Sequence, residues 1–156
     1  MAGAMLVAAL AGCQPAASDA ATNAAPPAAA PSWLAQLPLT VSGHGKVHRF
    51  VVEVAATPAD QERGLMFRDK LAPDAGMIFP MPRPEVATFW MKNTLIPLDL
   101  VFVRADGKIA NIAANARPMS LALISASEPV TAVLEIAGGR AAELGIEPGD
   151  KVSWPH

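Results

Sequence analysis

The sequence is short of the residues that build disulfide-bonded, nucleic-acid-binding and membrane-spanning proteins. It has one cysteine, no tyrosine, three tryptophans and five phenylalanines among 156 residues. A single cysteine excludes an internal disulfide. The 12 Lys and Arg residues are scattered against 14 acidic residues, so the composition indicates no nucleic-acid partner. No apolar run approaches the ~20 residues that are needed to span a bilayer.

The lone cysteine lies at the end of a short apolar segment. Cys13 follows Leu10-Ala11-Gly12, and this tetrapeptide resembles the lipobox of bacterial lipoproteins. The resemblance implies that residues 1–13 are a signal segment, that Cys13 is lipidated, and that the lipid bilayer is a partner. We expect the protein in the cell envelope with its domain in the periplasm. The outer membrane is slightly favoured, because Gln14 stands where an aspartate often marks inner-membrane retention in enteric bacteria. The alternative is a free thiol in an alanine-rich tail.

Residues 14–32 differ sharply in composition from the rest of the chain. They are mainly alanine and proline, with no large apolar side chains to form a core. This composition predicts a disordered, semi-extended tether. Residues 33–156 are then expected to form a single globular domain.

The patterning of the domain predicts many short strands and two short helices. Residues 37–42 and 46–55 flank a glycine turn and predict a hairpin, in which His48, Phe50, Val52 and Val54 face the core. Thr57-Pro58 predicts a capped start for a helix that runs to about Gly64 or Met66, and residues 140–144 before Gly145 predict a second helix. Residues 77–81 and 86–91 predict further strands, and residues 117–129 predict a long loop. We therefore expect an α+β domain built on a mainly antiparallel, curled or barrel-like sheet.

The segment 88–99 carries the best candidate site. Phe89, Trp90 and Met91 directly precede Lys92, Asn93 and Thr94; Pro97 then interrupts the run, and Asp99 precedes an apolar strand. Polar groups at a break between strands need partners. They either satisfy the bend itself or form a polar cleft beside two aromatic rings, which is typical of a binding site. We assign Phe89, Trp90, Lys92, Asn93 and Asp99, with Arg63, to a candidate ligand site.

Several runs of residues resemble the DUF192 family, a bacterial and archaeal family of unknown function. The resemblance rests on residues 64–68, 76–79 and 89–99, and on Leu134-Glu135-Ile136, Gly138 and Gly149-Asp150 in the C-terminal half. It covers about residues 51–152. The family brings no established reaction, cofactor or substrate, but its members often look exported or lipid-anchored, in agreement with Cys13.

Charged residues outside this segment offer a second interpretation. Arg63 or Arg68 could hold a carboxylate or phosphate at two points, although such arginines more often pair with a local acid. Glu135 lies within an apolar strand and, if it is buried, needs a partner such as Arg63 or Lys92. A hydrolase- or lyase-like enzyme would use Asp99 or Glu135 as its acid–base group and Lys92 or an arginine to stabilise charge.

Five methionines support a third interpretation. Met66, Met77, Met81, Met91 and Met119 all lie in the predicted domain. Thioethers are soft ligands that suit Cu(I), which an exported domain would meet, but methionine also fills gaps in cores that are poor in aromatic residues. Spacings typical of zinc ligands, phosphate-binding glycine loops and a serine nucleophile elbow are absent from the sequence, so we expect no cofactor.

Together these patterns favour a membrane-tethered envelope domain that binds a small ligand or a peptide segment without catalysis. The partner could also be another envelope protein. The acid–base enzyme and the Cu(I) binder remain the alternatives.

Overall fold

The computed structural model describes residues 34–155. The predicted lipobox at Cys13, the tether 14–32 and the terminal residues Trp33 and His156 lie outside the described residues. Within them, no helix has the length and apolar character that a membrane span requires.

Short strands dominate the described part of the chain, as the patterning predicted, and two short helices accompany them. The elements in chain order are β1 (Gln36–Gly43), β2 (Lys46–Val54), α1 (Pro58–Arg63), β3 (Ala75–Glu85), β4 (Thr88–Phe89), β5 (Leu98–Val103), β6 (Ile109–Ala116), β7 (Ile124–Ser125), β8 (Val130–Ala137), α2 (Arg140–Leu144) and β9 (Lys151–Ser153).

The main sheet has seven strands in the order β6-β5-β8-β3-β2-β1-β9, and β4 pairs with β7 separately. The prediction of a mainly antiparallel, barrel-like sheet is only partly right, because the sheet is mixed and open. β2 and β3 run parallel, since the crossover between them contains α1 and is long enough to return the chain to the same end of the sheet. An isolated bridge between Lys108 and Lys151 joins the two edges, and a few backbone hydrogen bonds lie beside it, including one from the Val152 N–H to the Gly107 carbonyl. β6 and β9 form no regular ladder, however, and the sheet is not closed into a barrel.

Alternation along the strands gives the sheet two apolar faces. The face toward α2, here called the helix-2 face, buries Phe50, Val52, Ile78, Val101, Leu134 and Ile136. The opposite face, here called the cavity face, buries Met77, Phe79, Leu98, Leu100, Phe102 and Val133. The predicted inward orientation of Phe50 and Val52 is confirmed, and both are buried. The central strands are covered on both faces and therefore read as continuous apolar runs.

Helix α1 begins and ends where its sequence predicts. The Thr57 side chain accepts a hydrogen bond from the Asp60 N–H, and the Asp60 carboxylate accepts one from the Thr57 N–H, which forms a reciprocal capping box. Gly64 ends the helix with φ 47° and ψ −134°, a conformation that is open only to glycine. The short helix therefore stops abruptly and turns the chain back over the cavity face.

The proline-rich region departs from the prediction. We expected a brief strand over residues 77–81, but β3 continues through Pro80, Pro82 and Pro84 to Glu85. Its pairing with β8 lapses between Pro80 and Glu85, because prolines lack the N–H that a ladder needs. The expected strand over residues 86–91 shortens to β4, and the expected loop 117–129 contains β7.

Candidate functional site

A cavity of about 460 Å³ opens on the cavity face of the sheet. Its walls come from α1 and the turn after it, from the end of β3, and from the segment around β4. The apolar lining includes Leu65, Phe79, Phe89, Trp90 and Leu123, and polar side chains lie among them. This size and mixture are typical of a site for a small molecule.

Glu135 lines this cavity from the middle of the sheet. It lies on β8, opposite Met77 of β3 and Leu100 of β5, and is only 5% exposed. Its carboxyl group forms no ion pair and no hydrogen bond with any described residue. Every fully shielded side-chain nitrogen or oxygen in the described part of the chain has a partner, so the unpartnered oxygens of Glu135 keep access to the cavity.

Burial changes the acidity of Glu135. Loss of solvent raises the pKa of its carboxyl group from 4.5 to about 8. At neutral pH the cavity wall therefore carries a mostly protonated carboxylic acid, which can donate a hydrogen bond, accept one, or release its proton when it pairs with a cation.

Aromatic rings form one wall of the cavity. Phe89 packs edge-on against Phe79, with 5.1 Å between ring centroids, and against Phe102 at 6.4 Å. Trp90 is 44% exposed, and the Lys92 ammonium group lies 5.1 Å from the centre of its ring. Such a wall offers apolar contact area and ring faces that attract cations.

The rim of the cavity is charged, and most of its charges are negative. Glu62 and Arg63 come from α1, and Glu85 comes from the end of β3. Among the described residues, Glu62 and Glu85 have no ion pair or hydrogen bond through their side chains, whereas Arg63 does have an interaction partner. Gln61 is held in place, since its amide donates to the Pro80 carbonyl over 2.9 Å.

The polar part of the central motif organises the loops beside the cavity. The Asn93 carbonyl accepts from the Phe67 N–H over 2.8 Å, and the Thr94 carbonyl accepts from the Met119 N–H over 3.0 Å. Asn93 has φ 56°, which asparagine tolerates better than most residues. Its side chain contacts the Met66 sulfur at 3.8 Å. Asn93 and Lys92 therefore support the site from outside its lining.

Asp99 lies away from the cavity, on the helix-2 face. It is fully buried, and its register partner on β8 is Ile136. One carboxylate oxygen accepts from the N–H groups of Asn115 (2.7 Å) and Gly139 (2.9 Å), and the other accepts from Ala141 (2.8 Å). The carboxylate thus satisfies backbone donors at the start of α2, which otherwise lack partners.

Arg68 also has a structural partner. Its guanidinium group binds the buried Glu53 carboxylate at two points, with Nη2 2.7 Å from Oε2. Glu53 lies opposite Met77, whose other neighbour is Glu135. Two buried glutamates therefore flank one methionine on the cavity face, but only Glu53 has an ion-pair partner.

The methionines are spread over three environments. Met66 and Met81 line the cavity, Met77 and Met91 are buried in the core of the cavity face, and Met119 is 55% exposed. Residues 34–155 contain no group of three or more His, Cys, Asp or Glu side chains that is arranged to hold a metal ion.

The cavity brings together part of the predicted site. The cavity is lined by three of the predicted residues, Arg63, Phe89 and Trp90. Lys92 does not line it, but its ammonium group lies over the Trp90 ring. Asn93 and Asp99 also lie outside the lining. Sequence reasoning left the partner of Glu135 open between Arg63 and Lys92, but no ion pair joins Glu135 to either of them. It missed Phe79, Glu85 and Leu123, which carry no local signal because they reach the cavity only through the fold.

The chain matches one protein-family model and is similar to solved structures of other bacterial proteins. The DUF192 model, described as "Uncharacterized ACR", matches residues 39–154. A crystal structure of a protein of unknown function from Novosphingobium aromaticivorans is 53% identical, with TM-score 0.79, and the match covers 84% of this chain and 94% of that one. A proposed transcription regulator from Sinorhizobium meliloti is 39% identical, with TM-score 0.77, and the match covers 80% of this chain and 98% of that one.

No curated protein matches the chain. The family model spans most of the described residues, and the first of these solved structures shares more than half of its aligned residues with this chain. The chain therefore belongs to the DUF192 family.

Proposed function

We propose that the domain binds a small ligand without catalysis, in the cavity that Glu135 and Phe89 line. The observation that carries this proposal is Glu135 itself, a buried carboxyl group with no partner among the described residues, at the wall of a 460 Å³ cavity. A buried polar group without a partner costs stability. A ligand that supplies the missing partner would recover that cost on binding.

A screen of fragments by protein NMR tests the proposal. Binders should shift the Trp90 indole and the backbone resonances of residues 62–66, and Phe89→Ala should weaken them at least tenfold by removing a ring from the wall. Val47→Ala is the matched control, since Val47 is exposed on β2 and away from the lining. If hits bind equally well to Phe89→Ala, or move only resonances elsewhere, the cavity is not the site.

An acid–base enzyme is the second candidate, and the raised pKa of Glu135 favours it. A carboxyl group that is protonated near neutral pH suits a general acid, and Arg63 at the rim could stabilise developing charge. Asp99 suits that role poorly, because both of its oxygens accept backbone hydrogen bonds. Glu135→Gln should then abolish turnover of any substrate found while substrate binding persists. Binding of hits that are recovered unchanged favours the non-catalytic proposal.

The location of the protein is a further proposal, and it rests on the sequence around Cys13. We propose that Cys13 carries lipid and tethers the domain in the periplasm, with the outer membrane favoured. A labelled fatty acid should enter the chain expressed in a bacterial host, and Cys13→Ser should abolish labelling and release the protein from membranes. Equal labelling of both forms would exclude the anchor. The scattered basic residues and the net charge of −2 lead us to propose no DNA contact.

A further inference from the structure

We propose that the ligand of this cavity is an organic cation, a primary amine on an apolar body, whose ammonium group pairs with Glu135. The inference rests on the proposed binding function and adds the charge of the ligand. Glu135 is nine-tenths or more buried, lines the cavity and has no partner among residues 34–155. An ammonium group can supply the missing charge and up to three N–H donors.

The charges around the cavity favour a cation. Three carboxyl groups line it, those of Glu62, Glu85 and Glu135, and none has a side-chain partner within the described part of the chain. Arg63 is the cation of the lining, and it already has an interaction partner. An anion would meet these carboxylates, whereas a cation would be attracted before contact and paired after it.

The aromatic wall fits the same chemistry. Phe79 and Phe89 offer ring edges and faces beside the acid, and Trp90 stands at the opening with a lysine ammonium already 5.1 Å from its ring centre. Because the Lys92 ammonium already lies over the Trp90 ring and would repel a second cation there, the ammonium group of the ligand is expected at Glu135 and the phenylalanine rings, and only its apolar body near Trp90. The apolar body of the ligand would then pack against Leu65 and Leu123, which also line the cavity.

Proton release is the signature of this pairing. The other charged groups of the cavity are Glu62 and Arg63 on α1 and Glu85 at the end of β3; Lys92 lies over the Trp90 ring, and the Glu53–Arg68 pair lies across Met77. Because burial holds the pKa of Glu135 at about 8, an amine that binds below that pH must displace its proton. The affinity for the amine should therefore rise about tenfold for each pH unit from pH 6 toward pH 8 and then level off.

Three probes with one carbon skeleton test the charge: phenylbutylamine, phenylbutanol and phenylbutanoate. Titration calorimetry of the full chain in buffers of different ionisation enthalpy gives both affinity and protons released. At about pH 7 we expect the amine to bind at least tenfold more tightly than the alcohol, with close to one proton released, and the anion to bind most weakly. Glu135→Gln should remove the preference and the proton release together. Glu128→Gln is the matched control, because Glu128 is exposed and outside the lining.

The outcomes separate this inference from the proposed function. If the alcohol or the anion binds as tightly as the amine, and Phe89→Ala weakens it, the cavity binds ligands but the cation assignment is wrong. If none of the probes moves a resonance of the cavity at millimolar concentration, the cation assignment is overturned, and the fragment screen decides the binding function independently. If Glu135→Gln does not fold, the pH profile and proton release of the unaltered chain still decide the assignment, because a pH-independent amine affinity would contradict it.

Discussion

Asp99 and Glu135 lie on neighbouring strands one register step apart, yet they face opposite sides of the sheet. Asp99 accepts three backbone hydrogen bonds, two at the start of α2 and one from Asn115 on β6, whereas Glu135 accepts none and lines a cavity. Both were candidate site residues from the sequence. Their surroundings indicate different roles: the carboxylate whose hydrogen bonds are all made holds the fold, and the one without a partner is the group that we propose to pair with a ligand.

Glu53 completes the comparison as an internal reference. It is as deeply buried as Glu135 and sits on the same face across Met77, but Arg68 pairs with it at two points. The fold therefore has the means to neutralise a buried glutamate in this row of the sheet, and it does so only at the position away from the cavity lining. Burial alone does not explain why Glu135 is unpaired.

The largest expected effect is the pH dependence that Glu135 imposes on stability. Its folded pKa is raised to about 8 from 4.5, so the folded chain keeps a proton that the unfolded chain has released. Stability is therefore full below pH 4.5, falls by about 1.4 kcal/mol per unit as pH rises from 4.5 to 8, and levels off above pH 8 after a total loss of about 5 kcal/mol. Glu135→Gln should lack this decline, so that the parent and the variant diverge in urea unfolding between about pH 5 and pH 9. A constant difference across that range would mean that Glu135 is ionised and paired.

The second largest effect is expected at Asp99, the carboxylate whose hydrogen bonds are all made. Asp99→Asn should lower the free energy of unfolding by about 3 kcal/mol, because an amide NH₂ would face at least one of the three backbone N–H donors. Asp69→Asn is the control: Asp69 is exposed without a side-chain partner among the described residues, and should change stability by less than about 0.5 kcal/mol. If Asp99→Asn matches its control, the carboxylate is not structural and the assignment of roles is reversed.

Local chemistry in the sequence predicted those parts of the fold that neighbouring residues determine. The Thr57–Asp60 cap, the Gly43–Gly45 turn and the end of α2 at Gly145 all follow from side chains within a few positions. Strand order does not, because it depends on contacts between distant residues. The parallel pairing of β2 with β3 does have a local signal, because a helix between two strands is typical of a parallel crossover. The sequence-based prediction of a mainly antiparallel sheet did not use that signal.

The candidate site was predictable in its aromatic part and at Arg63, but not in the state of its buried acid. Phe89 and Trp90 stand next to each other in an unusual motif and line the cavity together. Whether Glu135 was paired could not be read from the sequence, because the answer depends on what α1 places opposite β8. Arg63 and Lys92 were the plausible partners, and neither forms an ion pair with it.

A substitution at Gly64 tests whether the stability of the cavity face depends on backbone conformation, as the stability of the helix-2 face is expected to depend on the hydrogen bonds of Asp99. Its φ of 47° with ψ −134° suits glycine alone, and an added Cβ would lie 3.3 Å from the Phe79 ring. Gly64→Ala should lower the free energy of unfolding by about 2 kcal/mol, measured by urea titration. Gly45→Ala, at a positive φ with nothing within 4 Å, should lose only about 1 kcal/mol. Equal losses would show that strain at Gly64 owes nothing to the cavity wall.

The smallest expected effect concerns Phe67, at the edge of the cavity region. Phe67 has φ 63° and is 64% exposed, so a bulky residue occupies a strained conformation while burying little of its ring. Asparagine tolerates this conformation and keeps the N–H that donates to the Asn93 carbonyl. Phe67→Asn should therefore raise the free energy of unfolding by about 0.5 kcal/mol, measured by urea titration against the parent, and Phe67→Leu should not. A higher free energy of unfolding for Phe67→Asn would mean that the Phe67 ring, like the Glu135 carboxyl group, does not stabilise the fold. A decrease of more than about 1 kcal/mol would instead mean that Phe67 stabilises the fold, as Asp99 is expected to do.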